Sequence, residues 1–252
     1  MHSSTASGAR TLAEPPPLAS LLERGPVALF LDFDGTLVEL APGPDAIEPL
    51  PDLNDRLARL AHQLEGRCAV VSGRAIADIE KHLGQLPIAA AGSHGSDIRS
   101  ADGKALGAGP QGLPEAIETR LRAFAADHEL DYEHKPHGGA LHYRRNPDHG
   151  AQAHAFAEML ADEHGWAAQG GKFVVELVAS GANKGGAVDA FMAVAPFAGA
   201  YPLFIGDDLT DEAGFAACER MGGAGVLVGN RSETGAGFAL ADVAAVHQWL
   251  EF

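Results

Sequence analysis

Short apolar runs, each closed by a glycine or a polar turn, recur along the chain and set its expected architecture. Val27 to Leu31 is apolar at every position, the pattern of a strand covered on both faces in a parallel sheet. Cys68 to Val71, Ile88 to Ala91, Leu203 to Ile205 and Gly225 to Val228 read the same way. Helices are predicted between them. Over Pro51 to Leu64 the residues Leu53, Leu57, Leu60 and Leu64 fall on one face, and Ala75 to Leu83 continues the alternation. From about Ser96 to Ala179 the texture changes. Asp102-Gly103 signals a tight turn, and helices are expected over Leu113 to His128 and Ala151 to His164. Strands are expected around them, over Leu130 to Lys135, Ala140 to Arg144 and Lys172 to Leu177.

This order predicts an α/β protein: a doubly wound, Rossmann-like parallel-sheet core with an inserted α+β domain. The expected divisions are a mobile N-terminal tail over 1–25, a core over 26–97 and 181–252, and the insertion over 98–180. The tail is marked by Ser3, Ser4, Ser7 and Pro15 to Pro17, with a short packed helix expected over Leu18 to Glu23. At 252 residues, with 46% hydrophobic and 21% charged residues, the composition is globular. The formal charge of −16 speaks against non-specific binding to nucleic acid or an anionic membrane. No run approaches the ~18 apolar residues of a membrane span, and the first residues lack the apolar centre of a secretion signal. Cys68 and Cys218 are not spaced as a redox or metal pair, which points to reduced thiols and a cytoplasmic setting. With no surplus apolar stripe, a monomer is expected.

The candidate chemistry sits where the apolar runs end. Asp32-Phe33-Asp34-Gly35-Thr36 follows the first strand, and Gly206-Asp207-Asp208-Leu209-Thr210-Asp211-Glu212 follows a later one. A lone Asp-x-Asp-Gly reads equally well as a solvated turn. Two acidic clusters at two strand ends change that reading, because crowded carboxylates repel unless a cation compensates. Hard oxygen ligands with room for water and phosphate oxygens suit Mg²⁺. Ser72-Gly73-Arg74 offers a hydroxyl and backbone N–H groups where a helix begins, and Asn183-Lys184-Gly185 presents an ammonium. A nucleophilic carboxylate, an acid/base carboxylate, a hydroxyl, a lysine and a metal-binding carboxylate are what phosphoryl transfer through an aspartyl phosphate requires. Other patterns fail. His134, His137, His142 and His149 match no tight zinc spacing. Gly170-Gly171-Lys172 is followed by Phe173 where a nucleotide-binding loop needs Ser or Thr.

The motifs Asp-x-Asp-Gly-Thr, Ser-Gly-Arg, Lys and Gly-Asp-Asp-x-x-Asp, in that order, resemble the haloacid dehalogenase superfamily of phosphatases, whose larger cap domains are inserted where residues 98–180 lie. Within the insertion, Glu133-x-Lys135, His142-Tyr143-Arg144 and Lys172-x-x-x-Glu176, followed by Asn183-Lys184-Gly185, resemble the trehalose-6-phosphate phosphatases. One departure is Ser93 before His94, where relatives often carry an acidic or apolar residue. The resemblance implies Mg²⁺-dependent hydrolysis of trehalose 6-phosphate. It implies Asp32 as nucleophile, Asp34 as general acid and then base, and Ser72 and Lys184 as holders of the phosphoryl oxygens, with Thr36, Gly73 and Arg74 on the same side. Asp32, the backbone carbonyl of Asp34 and Asp207 would ligate the metal, supported by Asp208 and Asp211. Glu133, Lys135, Lys172 and Glu176 would grip the distal sugar, with Arg144 assisting cap closure. Two other readings remain open: another capped sugar phosphatase, for instance one acting on sucrose phosphate, and a catalytically silent sugar-phosphate-binding module.

Overall fold

The computed structural model describes residues 12–41, 46–106, 112–135, 137–171 and 173–252. Its strands are β1 (Val27–Leu31), β2 (Cys68–Val71), β3 (Ala89–Gly92), β4 (Asp97–Arg99), β5 (Asp131–Lys135), β6 (Gly138–His142), β7 (Trp166–Gly171), β8 (Val174–Ala179), β9 (Tyr201–Gly206), β10 (Ala224–Val228) and β11 (Phe238–Leu240). The helices are α1 (Leu18–Leu22), α2 (Leu53–Gln63), α3 (Ile76–Leu83), α4 (Glu115–Asp127), α5 (Gly150–His164), α6 (Lys184–Met192), α7 (Glu212–Arg220) and α8 (Val243–Trp249). No helix among the described residues is long and apolar enough to cross a membrane.

Seven strands form one sheet in the order β11-β10-β9-β1-β2-β3-β4, parallel throughout except for β4. The all-apolar runs are explained by this sheet being covered on both faces. Along β1, Val27, Leu29 and Leu31 join one core cluster while Ala28 and Phe30 join the other. Successive strands run outward from β1 in both directions, so the strand order reverses at β1. The crevice beyond its carboxyl end is where such sheets bind ligands, and Asp32 begins there.

The second sheet is antiparallel, in the order β5-β6-β8-β7. One face carries Leu141, Val175 and Leu177, packed against Ile117 and Leu121 of α4 and Ala153, Ala157 and Leu160 of α5. Gly138 brings β6 close to β8, since a Cβ there would lie 2.1 Å from the carbonyl oxygen of Leu177.

The α/β core with an antiparallel α+β sheet agrees with the expectation from pattern. Strand β7 was not foreseen, because Ala167, Ala168, Gly170 and Gly171 give it little β-signal of its own. The strand expected over Lys172 to Leu177 lies at Val174–Ala179, and Lys172 is outside the described residues. Residues 1–11 of the expected tail are also outside them. Residues 12–25 lie against the core: Leu18 and Leu21 are buried in it, and Trp249 Nε1 donates to the carbonyl of Pro16 at 3.0 Å. The apolar side chains of α1, not its polar neighbours, decide that placement.

Candidate active site

Asp32 stands immediately past β1, its N–H donating to the carbonyl of Ile205 at 2.9 Å, and its side chain is buried. Asn183 accepts the N–H of Gly186 at 2.9 Å and so caps α6. Lys184 therefore begins that helix, facing the crevice. Its Nζ lies 2.8 Å from Asp32 Oδ1 and 2.5 Å from Asp211 Oδ1, and all three groups are almost fully buried. Burial would lower the lysine pKa, but the charges of Asp32 and Asp211 outweigh it and hold the ammonium above its ordinary range. Burial, and next the charge of Asp211, raise the Asp32 carboxyl well above the ordinary carboxylate range, against the pull of Lys184.

Asp207 ends this cluster. Burial, then Asp211 and Asp208, push its carboxyl up to about 6. Asp32, Asp207 and Asp211 each offer an oxygen within 4.8 Å of the others, a set able to hold a cation. Asp211 has both oxygens engaged, one by Lys184 and the other by the N–H of Asp208 at 2.8 Å. Asp208 is exposed and accepts the N–H of Leu209 at 2.7 Å, closing a reciprocal capping box with Asp211. Glycines make this crowding feasible. A Cβ on Gly35 would fall 2.3 Å from Asp207 Oδ2, and one on Gly206 would fall 2.3 Å from Asp211 Cγ.

Asp34 is gripped by Arg74, whose Nε and Nη2 donate to its two carboxylate oxygens at 2.6 and 2.7 Å. Ser72, buried, accepts the N–H of Arg74 at 3.1 Å, so the turn over 72–74 is folded tightly at the end of β2. Gly73 there lies under His94, since a Cβ on it would fall 2.7 Å from the imidazole Cε1. Thr36 is buried with its hydroxyl unpartnered among the described residues. All phosphate-side residues named from the sequence thus belong to loops at the carboxyl ends of β1, β2 and β9 or to the start of α6.

Of the named insertion residues, Glu133, Lys135 and Glu176 lie on the face of the second sheet that points away from α4 and α5. Glu133 and Glu176 both sit opposite Ala140, and Gln169 sits opposite Glu176, so these residues form one row. Lys135, two residues beyond Glu133, shares that face and donates to Glu176 at 2.5 Å. His142 Nε2 donates to Glu133 at 2.7 Å, and this hydrogen bond holds the Glu133 carboxyl below its usual range. Arg144 is exposed in the turn after β6, and it is not brought into this row.

Three neighbours were given no role by the sequence reading, although His94 lies in a segment it quoted. His94 is influenced by the charges of Glu176 and Lys135 from the second sheet as well as Lys184 and Asp208 from the core, and burial pushes its imidazole down to about 4. Gln169 lies on a strand too small-residued to be foreseen. Arg231 donates from Nη1 to the carbonyl of Asp207 at 2.9 Å and pairs with Glu212, bracing the acidic loop. The Gly229-Asn230-Arg231 stretch after β10 repeats the strand-then-glycine grammar of the other site loops and could have revealed it.

The trehalose-phosphatase family model matches residues 30–243. The trehalose-6-phosphate phosphatase of Escherichia coli (strain K12) is 37% identical over 229 residues, covering 89% of this chain and 85% of that one. A probable trehalose-phosphate phosphatase of Sinorhizobium fredii is 38% identical over 205 residues, covering 80% and 77%. Among solved structures, the C-terminal domain of C. albicans trehalose-6-phosphate phosphatase superposes with a TM-score of 0.78 at 25% identity, covering 97% of this chain and 98% of that one. With the match spanning the core crevice and the polar sheet face together, the chain belongs to the trehalose-phosphatase family.

Proposed function

We propose that this chain hydrolyses trehalose 6-phosphate to trehalose and phosphate through an aspartyl phosphate on Asp32, with Mg²⁺ as cofactor and the second sheet as the cap that recognises the sugar. One observation carries this reading: a single cavity is lined by Lys184 of the buried Asp32–Lys184–Asp211 cluster and by Gln169, which shares its sheet row with Glu133 and Glu176. A phosphoryl-transfer site and a polyol-binding surface are thereby adjacent.

Asp32 supplies the attacking carboxylate oxygen, forming a bond to phosphorus as the bond to the sugar oxygen breaks. Lys184, held between Asp32 and Asp211, stabilises charge on the phosphoryl oxygens and opposes the burial that favours the protonated form of Asp32. Asp34 gives a proton to the departing sugar oxygen and later takes one from water. Arg74 grips both carboxylate oxygens of Asp34 in this structure, and that pair must open for Asp34 to take up the proton it gives to the leaving oxygen. An all-oxygen donor set within 4.8 Å fits Mg²⁺. Asp32, Asp207 and the backbone carbonyl of Asp34 would hold the ion, with Asp211 and Asp208 orienting them; when bound it neutralises phosphoryl charge. Glu133, Lys135, Glu176 and Lys172 would accept and donate to sugar hydroxyls.

Phosphate release from trehalose 6-phosphate, sucrose 6-phosphate and glucose 6-phosphate, each with Mg²⁺ and with a chelator, tests this. The expected outcome is metal-dependent turnover of the trehalose ester with the others far slower. Metal-dependent turnover of another ester would discard the cap assignment but keep Asp32, and no turnover of any would favour a silent binding module.

A further inference from the structure

A cavity of about 290 Å³ lies between the core crevice and the cap sheet, lined in part by His94, Gln169, Asn183, Lys184 and Thr210. Two of its side chains are held in place yet incompletely bonded. Gln169 donates Nε2 to the carbonyl of Ala182 at 2.8 Å, which orients its amide and leaves Oε1 buried without a partner among the described residues. His94 Nδ1 is likewise buried and unpartnered among them. The backbone beneath His94 is strained: Ser93 and His94 have φ of 48° and 56°, and Gly95 follows at 96°. Hydrogen bonds from Ser93 N–H to the Arg74 carbonyl (2.8 Å) and from His94 N–H to the Ser72 carbonyl (3.0 Å) tie this segment to the phosphate-side turn. Two residues that line one cavity thus carry buried, unpartnered polar atoms, and one of them sits on strained non-glycine backbone, features that packing alone would remove.

We propose that His94 and Gln169 are specificity-determining residues that together bind a hydroxyl of the phosphorylated sugar ring. This deepens, and rests on, the sugar-phosphate reading above. Gln169 Oε1 can only accept, and a neutral imidazole can donate from one nitrogen. A sugar hydroxyl donates and accepts at once, so a single hydroxyl in that cavity has the capacity to satisfy both. Gln169 lies directly opposite Glu176 on the cap face, and His94 stands on the core side beside Lys184. The pair thus joins the phosphoryl site to the row of Glu133 and Glu176, and an ester without hydroxyls gains nothing from it.

Steady-state kinetics of the wild-type chain, His94→Asn, Gln169→Leu and the double variant, on trehalose 6-phosphate and on 4-nitrophenyl phosphate, test the pair. Each single variant is expected to raise KM for the sugar ester about tenfold, and to lose roughly fivefold more kcat/KM on it than on the aryl ester. The double variant is expected to lose less than the product of the two, because one hydroxyl serves both. Equal losses on the two esters, or an unaltered KM for the sugar ester, would overturn the proposal. His94→Gly provides a second arm, since glycine relieves the left-handed backbone. It is expected to unfold at the same or a higher temperature yet show the same rise in KM, and a normal KM would count against the pair. If the wild-type chain turns over another sugar phosphate instead, the trehalose reading falls. The same split between sugar and aryl ester must then appear with that substrate for the pair to stand.

Discussion

The two sheets of this molecule bear their functional side chains in different ways. In the seven-stranded sheet both faces are buried, so a polar side chain along β1 or β9 would have no solvent and no partner. Asp32, Ser72, Asp207 and Lys184 at the start of α6 therefore lie at or beyond strand ends, where the proposed chemistry would take place. In the four-stranded sheet one face packs its apolar side chains on α4 and α5, and alternation leaves Glu133, Lys135, Glu176 and Gln169 together on the other. Parallel strands deliver a point-like, desolvated site; an antiparallel sheet delivers a broad surface able to touch several hydroxyls. In the proposed function, reaction and recognition are thus separable in sequence and in space.

That separation is open to direct attack. Asp32→Asn is expected to lower kcat by at least about 10⁴-fold on sugar and aryl esters alike, with the fold intact by circular dichroism. Appreciable turnover in a clean preparation would remove Asp32 from the nucleophile role. Gly35→Ala comes next. Its Cβ would strike Asp207 and its φ of 72° disfavours alanine, so roughly 10²-fold loss on both esters is expected. Unimpaired activity would show that the Asp207 geometry is not critical. Glu176→Ala should behave as a cap change: about 10- to 100-fold lower kcat/KM on the disaccharide ester, with the aryl ester reduced by less than about threefold. Equal reductions would erase the distinction between the two sheets.

The smallest effect concerns the seam between them. The folded chain keeps His94 neutral down to about pH 4, whereas an unfolded chain takes up that proton near 6.5. The unfolded state therefore binds more protons in this window, and acidification from 6.5 towards 4 removes stability that is fully present above 6.5. A His94→Asn variant is expected to show a shallower fall in Tm over that range, measured by thermal unfolding. An unchanged slope would mean that the imidazole is more hydrated than its surroundings indicate.

Much of this was legible before any coordinate. The unbroken apolar run Val27 to Leu31 announces a two-sided strand, and Asp32 to Thr36 at its end announces the site. The Glu133-x-Lys135 spacing places two charges on one face of a strand, as observed. Strand β7 was invisible because alanine and glycine carry almost no β-pattern; pairing with β8 makes it a strand. The resemblance to phosphatases supplied roles for Asp32 and Asp34, but nothing in it pointed to Gln169.

Periodicity and residue type are local properties, and they were enough for the class of fold, the strand ends that carry acids and the kind of reaction those acids support. Distances between residues far apart in the chain depend on strand order and register, which no local pattern specifies. Lys184 is shared by Asp32 and Asp211 only because α6 packs against the end of β1 beside the loop after β9. The Glu133–Glu176–Gln169 row exists only in the observed pairing, since a slip of one residue would turn a strand's side chains to the opposite face. His94 meets the cap because the strained segment after β3 is pinned to the phosphate-side turn, a constraint supplied by the packed structure and not by any motif.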